Sequence, residues 1–263
     1  LLCCIFCMLE AKTSPPRVSN VSSNINKTNI PMNIRAITLG FLLSLIIPSC
    51  VVYHPQTTDI PLISEKNDLR IDAGISAIPS AHATISYGLT DKIAIQGFGS
   101  FGSFGDDNRY YFQATSGIYN NRGNGQVLEL YGGFGYGHGD AQTPFRDPGI
   151  LFGDYQLYFG QLNYGKIATE PSIFEMGFGI KTGYLSSHLT DENYYSHTSD
   201  TGPYETYHDK SLLFEPVGFV RIGGQKLKLS VKLGGAFIYK FTNTDKHFPY
   251  SHINLGLGIN YRL

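Results

Sequence analysis

The stretch that decides the fold is Leu227–Tyr239, which reads LKLSVKLGGAFIY. Its apolar residues occupy every second position, and the positions between them begin with Lys, Ser and Lys. A period of two places successive side chains on opposite faces of an extended chain, so the pattern predicts a β-strand with one apolar and one polar face. The stretch Ile253–Leu263, INLGLGINYRL, repeats this alternation, as do Leu69–Ala77 and Phe174–Tyr184.

The region from residue 67 onward divides into ten candidate strands of this kind. They span about 68–78, 81–89, 92–102, 109–120, 127–138, 155–167, 173–187, 211–223, 227–241 and 252–263. Most approach the roughly 9–11 residues that a tilted strand needs to cross a bilayer. The strands at 92–102, 109–120 and 155–167 alternate less cleanly, so the sequence leaves their facing open.

The connections between the predicted strands alternate in length. Those after the even-numbered strands are short, whereas the longest follow the fifth and seventh strands, at 139–154 and 188–210. Tight turns on one side and long loops on the other are typical of outer-membrane barrels, whose turns lie in the periplasm. We therefore expect an outer-membrane protein with its N- and C-termini in the periplasm.

The composition of the polar face favours a membrane barrel over a soluble one. A water-facing strand usually carries many Lys, Glu and Thr residues, whereas Gly, Ser and Asn are frequent here, for example Gly177, Gly179 and Asn254. Small residues suit the crowded interior of a narrow barrel. The prediction is an all-β, transmembrane, antiparallel up-and-down β-barrel of about ten strands. An eight-stranded barrel and a soluble lipocalin-like barrel remain alternatives.

The region before the strands resembles an export leader. Met32, Arg35 and the apolar run Ala36–Ile47 predict a signal peptide over 32–49. Pro48-Ser49-Cys50 resembles a lipobox, which predicts lipidation at Cys50. We interpret 1–31 as a non-native upstream extension, 50–66 as a periplasmic tether and 67–263 as the barrel.

Charge and cysteine content exclude several classes of function. The net charge is −1, with no basic block or basic aromatic stripe, so no nucleic-acid partner is expected. The four cysteines, Cys3, Cys4, Cys7 and Cys50, precede the predicted strands, so the barrel can hold neither a disulfide framework nor a thiol catalyst. We predict no cofactor, and outer-membrane lipid is the expected surrounding.

The chain resembles small outer-membrane β-barrel lipoproteins of the Bacteroidota type. The resemblance rests on Pro48-Ser49-Cys50, on Tyr87-Gly88-Leu89-Thr90-Asp91-Lys92-Ile93, and on Phe214-Glu215-Pro216 followed by Arg221. It implies the barrel fold over residues 32–263 but no particular activity.

If the apolar face meets lipid, the polar face supplies the interior of the barrel. The predicted lumen charge network consists of Arg70, Asp72, Glu129, Glu175, Lys181, Glu215, Arg221, Lys228, Lys232 and Arg262. Buried charges must be paired or hydrated. We expect an ion-paired, plugged lumen, with a narrow channel for small polar solutes as the alternative.

The predicted loop 188–210 is the candidate site for an extracellular ligand, because function on such scaffolds concentrates in long loops. It contains His and acidic residues that could ligate a metal, but their spacing matches no tight motif such as His-Glu-x-x-His, so no metal site is assigned.

Ser187, His188 and Asp191 lie close together in sequence, but neighbours on a strand point to opposite faces, so no catalytic residue is assigned. We expect a non-enzymatic protein of structural or surface-interaction role. A hydrolase acting on lipid A or surface peptides is the alternative.

Overall fold

The computed structural model describes residues 51–56, 60–104, 107–143, 149–169, 173–192, 205–241 and 248–263. The predicted upstream extension, the signal peptide and Cys50 lie outside these residues. Within them, no helix is long and apolar enough to cross a membrane.

The described residues form eleven strands. These are β1 Leu69–Ser76, β2 Ser80–Gly88, β3 Ile93–Phe104, β4 Asp107–Asn121, β5 Gln126–Thr143, β6 Gly149–Lys166, β7 Phe174–Asp191, β8 Glu205–Gly223, β9 Leu227–Gly235, β10 Phe237–Lys240 and β11 Ile253–Arg262.

The strands close into a single antiparallel barrel. From β1 to β8 each strand pairs with the next, while β11 pairs with β1 and β9, and β9 pairs with β8. Segments β9 and β10 share β8 as partner in one continuous register, Gly234 opposite Val217 and Phe237 opposite Phe214. They occupy one wall position, so the described wall has ten strands, as predicted, and the eight-stranded alternative is wrong.

The predicted strand 227–241 is interrupted at Ala236. In the register that β9 and β10 share, Pro216 of β8 lies opposite Gly235, next to this break. Proline has no backbone N–H, so β8 cannot donate a ladder hydrogen bond at that position.

The two faces of the wall are reversed relative to those of a soluble barrel. Arg70 is 1% exposed and Asp72 is 0% exposed, whereas Ile75 is 63% and Leu229 is 68% exposed. Charged side chains therefore fill the interior and apolar ones cover the outside, which suits a hydrocarbon surrounding and rules out the lipocalin-like alternative. The same polarity holds in a strand whose inner and outer faces the sequence left open. In β3, the Gln96 side chain is buried in the lumen and Phe101 is exposed on the outer face.

Aromatic side chains border the apolar outer surface. Phe134, Tyr158, Tyr184 and Tyr239 lie in one row of the sheet, since Tyr158 pairs with both Phe134 and Tyr184, and Leu212 pairs with both Tyr184 and Tyr239. Tyr87, Tyr164 and Tyr261 lie toward the opposite ends of their strands. Such belts mark the lipid–water boundaries of membrane barrels.

We call the end of the barrel at residues 89–92, 122–125, 167–169 and 224–226 the turn end. The opposite end, where β7 leads to β8 and β10 leads to β11, is the loop end. Strands β5 to β8 extend farther at the loop end than predicted, with 18, 18, 18 and 19 residues. The predicted loops 139–154 and 188–210 are therefore too long. Residues 188–191 and 205–210 belong to β7 and β8, because both strands keep alternating and pairing beyond the lipid-facing band.

The predicted tether 50–66 is wrong for the residues described. Residues 51–56 and 60–63 are all buried within the barrel. Val52 and Tyr53 donate backbone hydrogen bonds to Pro249 O at the loop end, at 3.0 and 3.2 Å, whereas Asn67 donates to Gly88 O at the turn end, at 2.8 Å. We call residues 51–56 and 60–64 the luminal segment.

The luminal segment also connects the two ends of the barrel. Val52 bonds to Pro249 at the loop end, while Leu263 donates its backbone N–H to Leu69 O at the turn end. The first and last described residues therefore lie at opposite ends of the barrel. Polar side chains of the wall form hydrogen bonds with the backbone of the luminal segment. These bonds satisfy backbone groups that would otherwise be buried without partners.

Candidate functional site

The largest interior charge cluster lies near the turn end and centres on Glu175 of β7. Its carboxylate lies 3.5 Å from Arg70 Nη1, 3.3 Å from Arg221 Nη1 and 3.5 Å from Lys228 Nζ. Asp68 lies 3.7 Å from Arg70 and 2.9 Å from Arg262. Strands β7, β8, β9, β11 and β1 each contribute, so the cluster links five consecutive strands of the wall.

A second cluster surrounds Asp72 of β1. Lys232 Nζ donates to its Oδ1, and Ser230 Oγ donates to its Oδ2 at 3.2 Å. His82 Nε2 lies 3.9 Å from the Asp72 carboxylate and 3.4 Å from Lys232 Nζ. The carboxylate and the ammonium are both almost fully buried, so this pairing offsets part of the cost of removing their charges from water.

The third cluster joins the wall to the luminal segment. Lys181 Nζ lies 3.4 Å from Glu215 Oε2, and Tyr53 Oη donates to the same oxygen at 2.8 Å. The backbone N–H of Gln56 donates to Glu215 Oε1. Ser100 Oγ donates to the Gln56 side chain at 3.0 Å. Both oxygens of Glu215 thus hold the segment on one side of the lumen, and Ser100 holds it on another.

Further contacts hold the segment along the rest of the lumen. Glu129 accepts the backbone N–H of Ile63 at 2.7 Å and the Asn163 side chain at 3.0 Å. Arg221 donates to Ile60 O, and Asn254 donates to Pro55 O at 2.9 Å. The segment is therefore bonded to strands on several sides of the barrel.

Aromatic rings fill the lumen toward the loop end. Tyr53 meets Tyr155 edge-on with ring centroids 5.4 Å apart, and Tyr111 stacks on Tyr155 at 5.9 Å. Phe248 packs against Tyr155 at 6.2 Å. Gly137 lies between Tyr111 and Tyr155 in the strand register, and its missing side chain leaves room for the Tyr155 ring. Gly135 likewise leaves room for the Tyr111 ring.

Nine of the ten predicted network residues are buried inside the barrel, and Arg262 is partly exposed at the turn end. They gather around three carboxylates. Glu175 lies beside Arg70, Arg221 and Lys228, Asp72 pairs with Lys232, and Glu215 pairs with Lys181. Sequence reasoning missed Tyr53 and Gln56. The apolar run Val51-Val52-Tyr53 is the only sequence signal that they would be buried.

The residues considered for catalysis are separated by the wall. Ser187 is buried inside the barrel, whereas His188 is exposed on the outer face. Among the described residues, no group of three or more His, Cys, Asp or Glu side chains is arranged to hold a metal ion.

Comparison with known proteins identifies the fold class. No family model matches the chain, and no curated protein matches it. Among solved structures, it is similar to the outer membrane protease OmpT from Escherichia coli, with 11% identity, a TM-score of 0.51, and coverage of 74% of this chain and 93% of that one. The N-terminal β-barrel domain of Pseudomonas aeruginosa OprF matches with 13% identity, a TM-score of 0.31, and coverage of 75% and 98%. The similarity to the first of these shows that the chain has the fold of the outer-membrane β-barrels, and its charged interior and apolar exterior agree with that fold.

Proposed function

We propose that this protein is a non-enzymatic outer-membrane β-barrel whose lumen is closed by its own luminal segment, and that it has a structural or surface-interaction role. The observation that carries the proposal is the attachment of Tyr53 and Gln56 to Glu215 inside the barrel. A ten-stranded barrel is far narrower than the 16- to 18-stranded porins, so one extended chain takes up much of its interior.

Charge pairing supports the closed lumen. A conducting pore needs hydrated polar groups along a continuous path. Here Glu175 and Asp72 lie beside cations on the wall, and Glu129 and Glu215 accept hydrogen bonds from the luminal segment. Each of these groups already has the partner that an ion or solute would otherwise provide.

Single-channel recording in planar bilayers tests the closed lumen. The full chain should give no stable conductance steps, whereas a variant lacking residues 51–64 should give them, because its lumen is then open to water. Stable steps from the unaltered chain that change with Lys232→Glu would overturn the proposal in favour of the narrow channel.

The absence of catalysis is part of the proposal. It is supported by the placement of Ser187 and His188 on opposite sides of the wall. The mass profile of lipid A and the cleavage of a surface-peptide library should be unchanged when the protein is overproduced in cells. A new lipid A species or a cut peptide, absent from cells without the protein, would favour the hydrolase alternative.

We also propose that the barrel resides in the outer membrane with its turn end toward the periplasm and its loop end outside. The support is the alternation of tight turns and longer loops. Lipidation of Cys50 remains a prediction, which mass spectrometry of the mature N-terminus tests. An extracellular ligand would meet the loop end, where β7 leads to β8.

A further inference from the structure

A row of imidazole and carboxylate side chains crosses the outer face of the barrel near the loop end. His138 of β5 pairs with Asp154 of β6, Asp154 pairs with His188 of β7, and His188 pairs with His208 of β8. In each of these strands the row lies between the lipid-facing residues and the loop end, since His188 is four residues beyond Tyr184. The row therefore faces water rather than lipid.

One histidine of the row is already engaged. His138 Nδ1 lies 2.8 Å from Asp154 Oδ1, and its Nε2 lies 2.9 Å from Asp140 Oδ1. Its ring also stacks on Tyr110 with centroids 5.5 Å apart. Both ring nitrogens are thus satisfied by carboxylates.

The other two histidines face each other. The ring centroids of His188 and His208 are 4.2 Å apart, with an angle of 34° between the ring planes. Both residues are exposed, and in the part of the chain described neither imidazole has a hydrogen bond or an ion pair. The two rings are close enough that rotation about the side-chain bonds can bring one nitrogen of each to a common ion.

We propose that His188 and His208 bind one divalent transition-metal ion of the class Zn²⁺, Ni²⁺ or Cu²⁺. Imidazole is a preferred ligand of these ions, and metal–nitrogen bonds of about 2.0–2.1 Å let one ion bridge two rings on neighbouring strands. Asp154 lies one strand away with a half-exposed carboxylate, which adds negative charge beside the site. Water completes the coordination, because the described residues supply two imidazoles and no preassembled third ligand.

Calorimetric titration of the full chain tests this site. The protein is purified in detergent without a polyhistidine tag, its thiols are alkylated, and ZnCl₂ is added after chelator treatment. One saturable ion should bind per barrel at this site. His188→Gln and His208→Gln should each weaken binding at least tenfold, because one ligand is then lost.

His252→Gln is the matched control. His252 is exposed near the same end of the barrel, but its ring lies on Tyr250 at 4.7 Å and no second imidazole faces it among the described residues. This variant should bind zinc as the unaltered chain does. Absence of saturable binding, binding that survives both His188→Gln and His208→Gln, or equal loss in His252→Gln would overturn the proposal.

Cu²⁺ provides a second readout that does not depend on heat. Electron paramagnetic resonance should show nitrogen couplings from two imidazoles in the unaltered chain and from one in each single variant. Spectra without such couplings would contradict the site even if zinc binds elsewhere. Circular dichroism checks that the variants keep their strand content, which the exposure of both histidines favours.

Discussion

At the scale of single residues, Glu175 is a buried carboxylate surrounded by three cations. It is fully buried and lies within 3.5 Å of Arg70, Arg221 and Lys228. Removing one member of a buried ion cluster leaves the others without compensation, which costs more than the intact cluster contributes. Substitution of one buried luminal charge is therefore expected to lower the stability of the barrel strongly.

Glu175→Gln is therefore expected to lower the free energy of unfolding by about 3–5 kcal/mol. Guanidinium unfolding in detergent, followed by circular dichroism, measures the change. Glu65→Gln is the matched control, because the Glu65 side chain is 76% exposed and lies 3.8 Å from Arg262. It should change stability by no more than about 0.5 kcal/mol. Equal effects of the two substitutions would contradict the central role of Glu175.

At the scale of elements, the strands differ in what their glycines face. Gly137 of β5 is buried against the Tyr155 ring inside the barrel, whereas a Cβ at Gly132 of the same strand would meet no atom within 4 Å. Glycine is thus needed for close packing at Gly137 in the lumen, whereas at Gly132 on the outer face a larger side chain would have room.

Gly137→Ala should destabilise the barrel by about 1–3 kcal/mol, because the added methyl group overlaps the Tyr155 ring and overpacks a filled interior. Gly132→Ala, the same change on the outer face of the same strand, should be close to neutral. The difference between the two unfolding midpoints is the measurement. A cost for Gly132→Ala as large as that for Gly137→Ala would mean that strand propensity, rather than luminal packing, controls both.

At the scale of the whole molecule, the barrel has two chemically distinct ends. The turn end has short connections and the Glu175 cluster. The loop end has the extended strands β5 to β8 and, on the outer face, the row His138, Asp154, His188 and His208. This asymmetry is the basis of the proposed orientation.

Orientation can be measured with a membrane-impermeant maleimide on intact cells. Thr206→Cys, exposed at the loop end, should be labelled directly, whereas Lys226→Cys, exposed at the turn end, should be labelled only after the envelope is permeabilised. The parent chain gives the background of the native cysteines. The reverse pattern of labelling would place the turn end outside.

The amino-acid sequence by itself determined the wall of this protein. A period of two assigns each side chain to a face, so Leu229 could be placed outside and Lys232 inside before any contact was known. Ten strands, the reversal of polarity and the burial of nine interior charges all follow from that local rule. This pattern did not predict where β5 to β8 end at the loop end, because pairing between these strands continues beyond the apolar band.

Only the tertiary structure decided what fills and decorates that wall. Tyr53 and Glu215 are 162 residues apart in the chain, and the luminal segment has no alternation to indicate that it enters the barrel. Likewise, His188 and His208 meet because the register of β7 and β8 places them opposite each other, at a separation that matches no sequence motif. The face of the wall on which a side chain lies depends on its neighbours in the sequence, so the sequence alone predicts it. The residues that a side chain contacts depend on how the whole barrel closes, so only the tertiary structure shows them.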